Sequence, residues 1–263
     1  GGLFHLDGGS QATYRRMIEA MDRQIGRVLG ALEAGRLTDN TIVIFTSDNG
    51  PQFSGAGDGS AHRYNCGFAG AKLSVYEGGI RVPAVVRWPA RLAGRRQVHD
   101  TAHFTDWLPT LLAAAGIAPP ADVGLDGVDV LPMLGGETHG ATPPRFWQWN
   151  RYSPVATCNA AMREGDWKLV RPEIAAAMAL QPTDLAMDID AKYHPERYPA
   201  ILDAADPERE IPEPPAPQLF NLRSDPLEQH DLAAAHPDRV ARMQSALTAW
   251  FDDVDGERRR IRW

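Results

Sequence analysis

The chain has 263 residues, a formal net charge of −7, 43% hydrophobic residues and 23% charged residues. That length carries a prior of roughly one to two domains, and the composition is ordinary for a globular protein. The acidic balance argues against nucleic acid or an anionic membrane as partner, since either requires a basic face, and no apolar stretch is long enough to span a bilayer.

The chain opens Gly1-Gly2, with neither an initiator methionine nor a signal peptide, which predicts a processed or truncated product and leaves the compartment unread. Residues 13–34 then predict an amphipathic helix. Tyr14, Met17, Ile18, Met21, Ile25, Val28, Leu29 and Leu32 follow the three-and-four spacing of one face. Ser10 and Thr13 are both candidate N-caps, and Gly35 is a natural stop. Gly26 and Gly30, one turn apart, weaken a helix, so the expectation is that a neighbour packs closely there. Thr41–Thr46 is β-branched and aromatic without alternation, as in a strand buried on both faces. Residues 50–62 are rich in Gly and Ser and predict a loop. Pro83 opens a second apolar strand, Ala84–Arg87, which Trp88-Pro89 closes. A second helix is expected at 105–115, with Thr105 as its cap, Pro109 in its first turn and Gly116 as its stop. His103, just before it, is expected to pack against the helix end. Helix, buried strand, loop, buried strand and helix together are α/β grammar.

After the Pro- and Gly-rich segment 118–144 the pattern changes. Arg145–Trp149, Ala160–Val170 and Leu219–Leu222 predict short strands, and a last helix is expected from Pro237 to about Val254. Strands in series closed by one helix suggest a small antiparallel α+β subdomain. The expected division is 1–142 and 143–263, with a long insertion at about 171–217 whose default is an elaborated surface loop. The basic run Arg258-Arg259-Arg260 is most simply a solvated tail. Cys66 and Cys158 allow one disulfide or two free thiols, and neither has the CxxC spacing of a zinc site.

In open α/β sheets ligand sites gather beyond the carboxyl ends of the strands. Asp48 and Asn49 stand there, a carboxylate beside a carboxamide, and such hard oxygens suit Ca²⁺ or Mg²⁺. Asn-Gly is also a common turn dipeptide, so both meanings stay open for Asp48-Asn49-Gly50 taken alone. Lys72 follows Gly70-Ala71, where small residues let a backbone come close. It is either a solvated loop lysine or an ammonium that neutralises a sulfate or phosphate oxygen. Glu77 and Arg81 bracket Gly78-Gly79 and are expected to pin the loop through an ion pair or backbone hydrogen bonds.

In order along the chain, these segments resemble the C-terminal half of the arylsulfatase-type sulfatases of the alkaline-phosphatase superfamily. Phe45-Thr46-Ser47-Asp48-Asn49-Gly50-Pro51 resembles the family's metal-binding strand end. Gly70-Ala71-Lys72 with Tyr76-Glu77-Gly78-Gly79-Ile80-Arg81-Val82-Pro83 resembles its substrate-lysine loop, with Ala71 where Gly is usual. Asp106-Trp107-Leu108-Pro109-Thr110-Leu111-Leu112 matches the helix that follows. Gly165-Asp166-Trp167-Lys168-Leu169-Val170, Leu219-Phe220-Asn221-Leu222 and Asp225-Pro226-Leu227-Glu228 resemble the C-terminal subdomain.

The resemblance implies an alkaline-phosphatase-like sandwich with a buried mixed sheet, followed by the small subdomain. It also implies a sulfuric ester hydrolase acting on a sulfate-ester substrate. Asp48 and Asn49 would be two ligands of Ca²⁺, with Mg²⁺ as the alternative cation, and Lys72 would be both substrate-binding and catalytic. His62, Arg63 and Arg151 are further candidates for contact with substrate, beside Trp149 and Asn150. The family's nucleophile is a formylglycine made from the cysteine of a Cys-x-Pro-Ser-Arg motif. No such motif occurs here: Gly67-Phe68-Ala69 follow Cys66, and Asn159-Ala160-Ala161 follow Cys158. The formylglycine is therefore expected in an N-terminal half outside this chain, and the chain alone is expected to be inactive. Two other functions remain open: a phosphodiesterase or phosphonate hydrolase of the same superfamily, and a non-catalytic binder of sulfated glycans. Family resemblance favours a periplasmic or secreted location. Neither the particular ester nor an oligomeric state is specified by the sequence.

Overall fold

A computed structural model of the chain describes residues 10–52, 64–137, 142–198 and 206–260. In chain order the helices are α1 (Gln11–Ala34), α2 (Glu77–Ile80), α3 (Trp107–Ala115), α4 (Leu131–Gly135), α5 (Ala175–Met178), α6 (Pro182–Tyr193) and α7 (Pro237–Arg258). The strands are β1 (Val43–Thr46), β2 (Ala84–Arg87), β3 (Arg145–Gln148), β4 (Ala160–Glu164), β5 (Trp167–Arg171) and β6 (Gln218–Asn221). β1 and β2 form an antiparallel pair, and the other strands form a sheet in the order β3-β4-β5-β6. The chain divides into two compact units. One comprises Arg16–Ser47 and Pro83–Arg145, and the other comprises Asp48–Val82 and Phe146–Trp263 with the residues before Arg16. Among the described residues no helix is long and apolar enough to cross a membrane.

α1 extends two residues further toward its start than the periodicity predicts. The Ser10 hydroxyl accepts from the Thr13 N–H at 3.1 Å and so caps it. The helix ends where Arg36 turns to a left-handed φ of 54° behind Gly35. Its apolar stripe is exposed, at 54% for Met17, 46% for Met21 and 61% for Val28. A Cβ built on Gly26 or Gly30 would meet nothing within 4 Å. The close neighbour expected at those glycines is therefore absent among the described residues.

β1 and β2 pair in the register Val43–Arg87 to Thr46–Ala84. Burial on both faces was the expectation for β1, yet Phe45 is 38% exposed and Val85 of β2 is 59% exposed. A two-strand ribbon lacks the flanking strands that cover a sheet interior, so apolar sequence does not report burial here. Before α3 the predicted cap is also corrected. The His103 imidazole, not Thr105, accepts the free N–H of Thr105 at 3.3 Å, while Asp106 Oδ2 accepts from the His103 N–H at 2.7 Å. Asp106 Oδ1 also takes the Val128 N–H at 2.9 Å and lies 2.6 Å from Arg145 Nη2, in a buried ion pair. Gly116, at φ 70°, ends α3 as predicted.

In the second unit, Ala160–Val170 resolves into a hairpin, β4 and β5, turning at Gly165 with φ 56°. β5 pairs antiparallel with β6. Alternation then sorts the side chains to two faces. Ala160, Met162, Leu169 and Leu219 pack on Met243 and Leu247 of α7, where Phe146 stacks on Trp250 with 5.1 Å between ring centroids. Burying Met243 and Leu247 completely stabilises the unit by about 1.5–3 kcal/mol each. The opposite face presents Ala161, Val170 and Phe220 to Val75, with Tyr76 and Trp147 packed alongside. One side of the sheet thus holds the last helix, and the other backs the loop that carries Lys72. Cys66 and Cys158 are both free, the first exposed and the second buried.

Candidate active site

Three backbone segments of the second unit are stitched together around glycines. The Gly50 N–H donates to the Gly79 carbonyl at 2.8 Å, the Gly78 N–H to the Ala69 carbonyl at 2.7 Å, and the Lys72 N–H to the Pro51 carbonyl at 2.9 Å. A Cβ on Gly50 would fall 1.8 Å from the Gly78 oxygen, one on Gly78 2.2 Å from the Gly70 oxygen, and one on Gly79 2.0 Å from the Ser74 oxygen. No side chain fits at those distances, so glycine is required by the close approach of the strands of backbone. Gly70 and Leu73 flank Lys72 with left-handed φ of 74° and 81°. For leucine that conformation is costly and persists only where its surroundings enforce it.

Asn159 supplies that enforcement. Its buried amide donates to the Leu73 carbonyl at 2.7 Å and to the Trp149 carbonyl at 2.8 Å, and its oxygen accepts from the Val75 N–H at 3.1 Å. One carboxamide therefore holds the Lys72 loop and the Trp149–Arg151 segment side by side. No sequence motif marks Asn159. Its one local mark is its φ of 46°, a conformation asparagine tolerates, which no neighbouring pattern announces. Replacing Asn159 with Ala strands these buried groups, so the urea midpoint is expected to fall by the equivalent of about 2–3 kcal/mol. An unchanged m-value would show that compactness is kept.

The knot carries Asp48, Asn49 and Lys72. The Asn49 side chain hydrogen-bonds the Asp48 carboxyl and holds it below its ordinary 3.8 against a small desolvation, and the Lys72 charge is close enough to lower it further. Asp48 is therefore an anion at neutral pH, with an ammonium nearby. Lys72 itself is exposed. Arg151 lies on the neighbouring segment with its guanidinium 5.0 Å over the Trp149 ring, and its Nε is buried without a hydrogen-bond partner. The long insertion braces that segment: Arg209 donates to the Arg151 carbonyl at 3.0 Å, Gln181 N–H to the Tyr152 hydroxyl at 2.9 Å, and the Tyr152 hydroxyl to Asp184. His62 and Arg63 lie outside the described residues. Arg81 pairs with Glu77 at 3.5 Å, as expected of two residues that pin the loop.

The donor chemistry fits a hard divalent cation, because Asp48 and Asn49 offer oxygen and no soft ligand. The fit is partial. No group of three or more His, Cys, Asp or Glu capable of holding a metal occurs among the described residues, and calcium takes about six to eight oxygens.

Comparison with known proteins finds similarity to sulfatases. The sulfatase family model matches residues 8–117, and a model described as N-sulphoglucosamine sulphohydrolase, C-terminal, matches residues 68–188. The chain is 30% identical over 261 residues to the steryl-sulfatase of Mus musculus, covering 95% of this chain and 38% of that protein. It is 34% identical over 164 residues to the N-acetylgalactosamine-6-sulfatase of Canis lupus familiaris, covering 55% of this chain and 31% of that protein. A solved structure from a glycosaminoglycan-metabolism locus of Bacteroides thetaiotaomicron superposes with a TM-score of 0.60 at 29% identity, covering 87% of this chain and 42% of that one. The chain thus spans well under half the length of the relatives it matches.

Proposed function

The chain is sulfatase-type in sequence and in its alkaline-phosphatase-like fold, and from that premise we propose that it is the cation- and sulfate-holding part of a sulfuric ester hydrolase. The observation that carries this reading is the glycine knot, which presents the Asp48 carboxylate, the Asn49 carboxamide and the Lys72 ammonium from one tightly bonded loop cluster.

In this reading Asp48 and Asn49 contribute two oxygen ligands to a divalent cation, Ca²⁺ before Mg²⁺. When bound, that cation supplies Lewis acidity toward a sulfate oxygen. Lys72 binds the sulfate group and balances the negative charge that grows on the ester oxygen as the S–O bond breaks. The backbone bond from Lys72 to Pro51 sets the base of this side chain relative to Asp48. Formylglycine, the nucleophile of the family, is not encoded by these 263 residues, so the reading requires it from sequence outside them. In this reading Arg151, whose guanidinium lies over the Trp149 ring, contacts the part of the substrate beyond the sulfate.

The test is hydrolysis of an aryl sulfate and the matching aryl phosphate by the enzyme containing this chain. Faster turnover of the sulfate is expected, lost on chelation with EDTA and restored by Ca²⁺. Preference for the phosphate would instead support a phosphodiesterase or phosphonate hydrolase. Binding of sulfated glycans without any turnover would support a non-catalytic binder.

A further inference from the structure

Lys168, the second residue of β5, has no exposed surface. Lysine is almost never buried so fully unless it is paired. Here it is paired twice: its Nζ lies 2.9 Å from Glu77 Oε1 and 2.8 Å from Glu228 Oε1. Glu228 also accepts the Glu77 backbone N–H through Oε2 at 2.6 Å, so its carboxylate grips both the lysine and the first turn of α2. Glu77 and Glu228 are buried as well, at 3% and 7% exposure. Arg81 completes the charge balance from the surface, with its guanidinium 3.5 Å from Glu77 Oε2 and 4.9 Å over the Phe68 ring.

Where this cluster points decides its meaning. Glu77 opens α2, and the next two residues are Gly78 and Gly79. Gly78 is bonded to Ala69, Gly79 is bonded to Gly50, and the Gly79 backbone packs against the carbonyls of Ala71 and Ser74. The charge cluster is thus one covalent step from the glycine knot, and its far end is built into the sheet. A buried ion cluster is a poor device for stability alone, since apolar residues of equal volume commonly serve as well or better. Its distinctive property is direction: three charged groups at hydrogen-bond distance admit few alternative arrangements, whereas an apolar contact admits many.

We infer that Lys168 and Glu228 are positioning residues for the active site, which through Glu77 lock α2 in place and thereby hold Gly50 and Lys72 in register. The catalytic part of this statement rests on the sulfatase reading above, while the geometric part stands apart from it. Neither residue touches substrate. Both act through the backbone of Gly78 and Gly79.

Residue-resolved backbone amide exchange in the enzyme containing this chain separates the two parts. In Glu228→Gln, which keeps an oxygen acceptor for the Glu77 N–H but removes the charge, the Gly50, Lys72 and Gly78 amides are expected to exchange at least about tenfold faster than in the parent. Met243 and Leu247 amides in α7 should keep their protection, the mark of a local opening. Leu247→Ala is the control: it should accelerate exchange through the core without singling out the knot. Unchanged exchange at the knot, or uniform acceleration in Glu228→Gln, overturns the inference. Lys168→Met is the stronger variant, and where it fails to fold Glu228→Gln alone decides. In the enzyme containing this chain, Glu228→Gln is expected to lower kcat about 100-fold, the scale set by misplacing a catalytic group by about 1 Å, with a much smaller change in KM. A loosened knot with unchanged kcat overturns the positioning role. If the unsubstituted enzyme turns over no sulfate ester, the functional reading fails, and the exchange rates still decide whether the cluster fixes the loop.

Discussion

Lys72→Ala is expected to lower kcat for an aryl sulfate by about 10²–10³-fold, the range found when a preorganised group facing developing charge is removed. The reasoning starts from the backbone. Lys72 is tied to Pro51 at 2.9 Å and flanked by left-handed residues, so its ammonium emerges from a fixed base close enough to Asp48 to lower that carboxyl. Its side chain is exposed, so folding should change by no more than about 0.5 kcal/mol. Lys72→Arg is expected to restore little, because a planar guanidinium cannot replace a compact ammonium at the end of a four-carbon stem. Steady-state kinetics at saturating Ca²⁺, beside a urea unfolding curve, make the check. A loss of kcat below tenfold with intact folding would remove Lys72 from the chemistry and leave it a surface lysine.

Lys168→Met carries the largest expected effect on stability, a loss of about 3–5 kcal/mol, because it leaves Glu77 and Glu228 buried without their cation. The loss should depend on pH. Burial pushes the Glu228 carboxyl above its ordinary 4.5, with Lys168 opposing that rise. Removing the lysine removes the opposing charge, so the carboxyl rises further and the folded state of the variant binds a proton more tightly than the unfolded state. A group raised in this way contributes stability that is present below its unfolded pKa and lost as pH rises through the folded value. Urea midpoints of Lys168→Met should therefore fall from pH 5 to pH 8 relative to the parent, and a flat difference would contradict the assignment. Adding Glu77→Gln and Glu228→Gln to Lys168→Met should recover much of the stability, because no ionised group is then stranded. That triple variant would test whether the charges are kept for geometry, since stability would return without the fixed register at Gly50.

Much of the local structure was legible beforehand. Ser10 as the cap of α1, Pro237 at the start of α7 and Gly116 as the end of α3 each follow from backbone groups within a turn of the residue concerned. The segment 160–170 is extended as expected but holds two strands, because Gly165-Asp166 turns the chain back on itself. Asp48 and Asn49 stand out by their oxygen chemistry beyond a strand and Lys72 by the small residues before it, and backbone bonds tie the three into one loop cluster. Asn159 was overlooked because its partners Leu73 and Val75 lie 86 and 84 positions away. The misjudged cap before α3 has a similar cause: Thr105 is the commoner capping residue type, but tertiary bonds from Val128 and Arg145 fix Asp106 and with it the His103 turn.

By itself the sequence determined where α1, β1, β2, α3 and α7 lie, and the likeness to sulfatases. Those features depend on interactions over three or four residues and on short motifs such as Asp48-Asn49-Gly50 and Glu77-Gly78-Gly79. Tertiary structure alone decided that Glu77 meets Lys168 across 91 positions and Glu228 across 151, that glycine is obligatory at 50, 78 and 79, and that β1 and the stripe of α1 are exposed. A buried charge must be met by opposite charge wherever packing brings it, and burial itself depends on which elements cover which. Neither condition is written in the neighbouring residues.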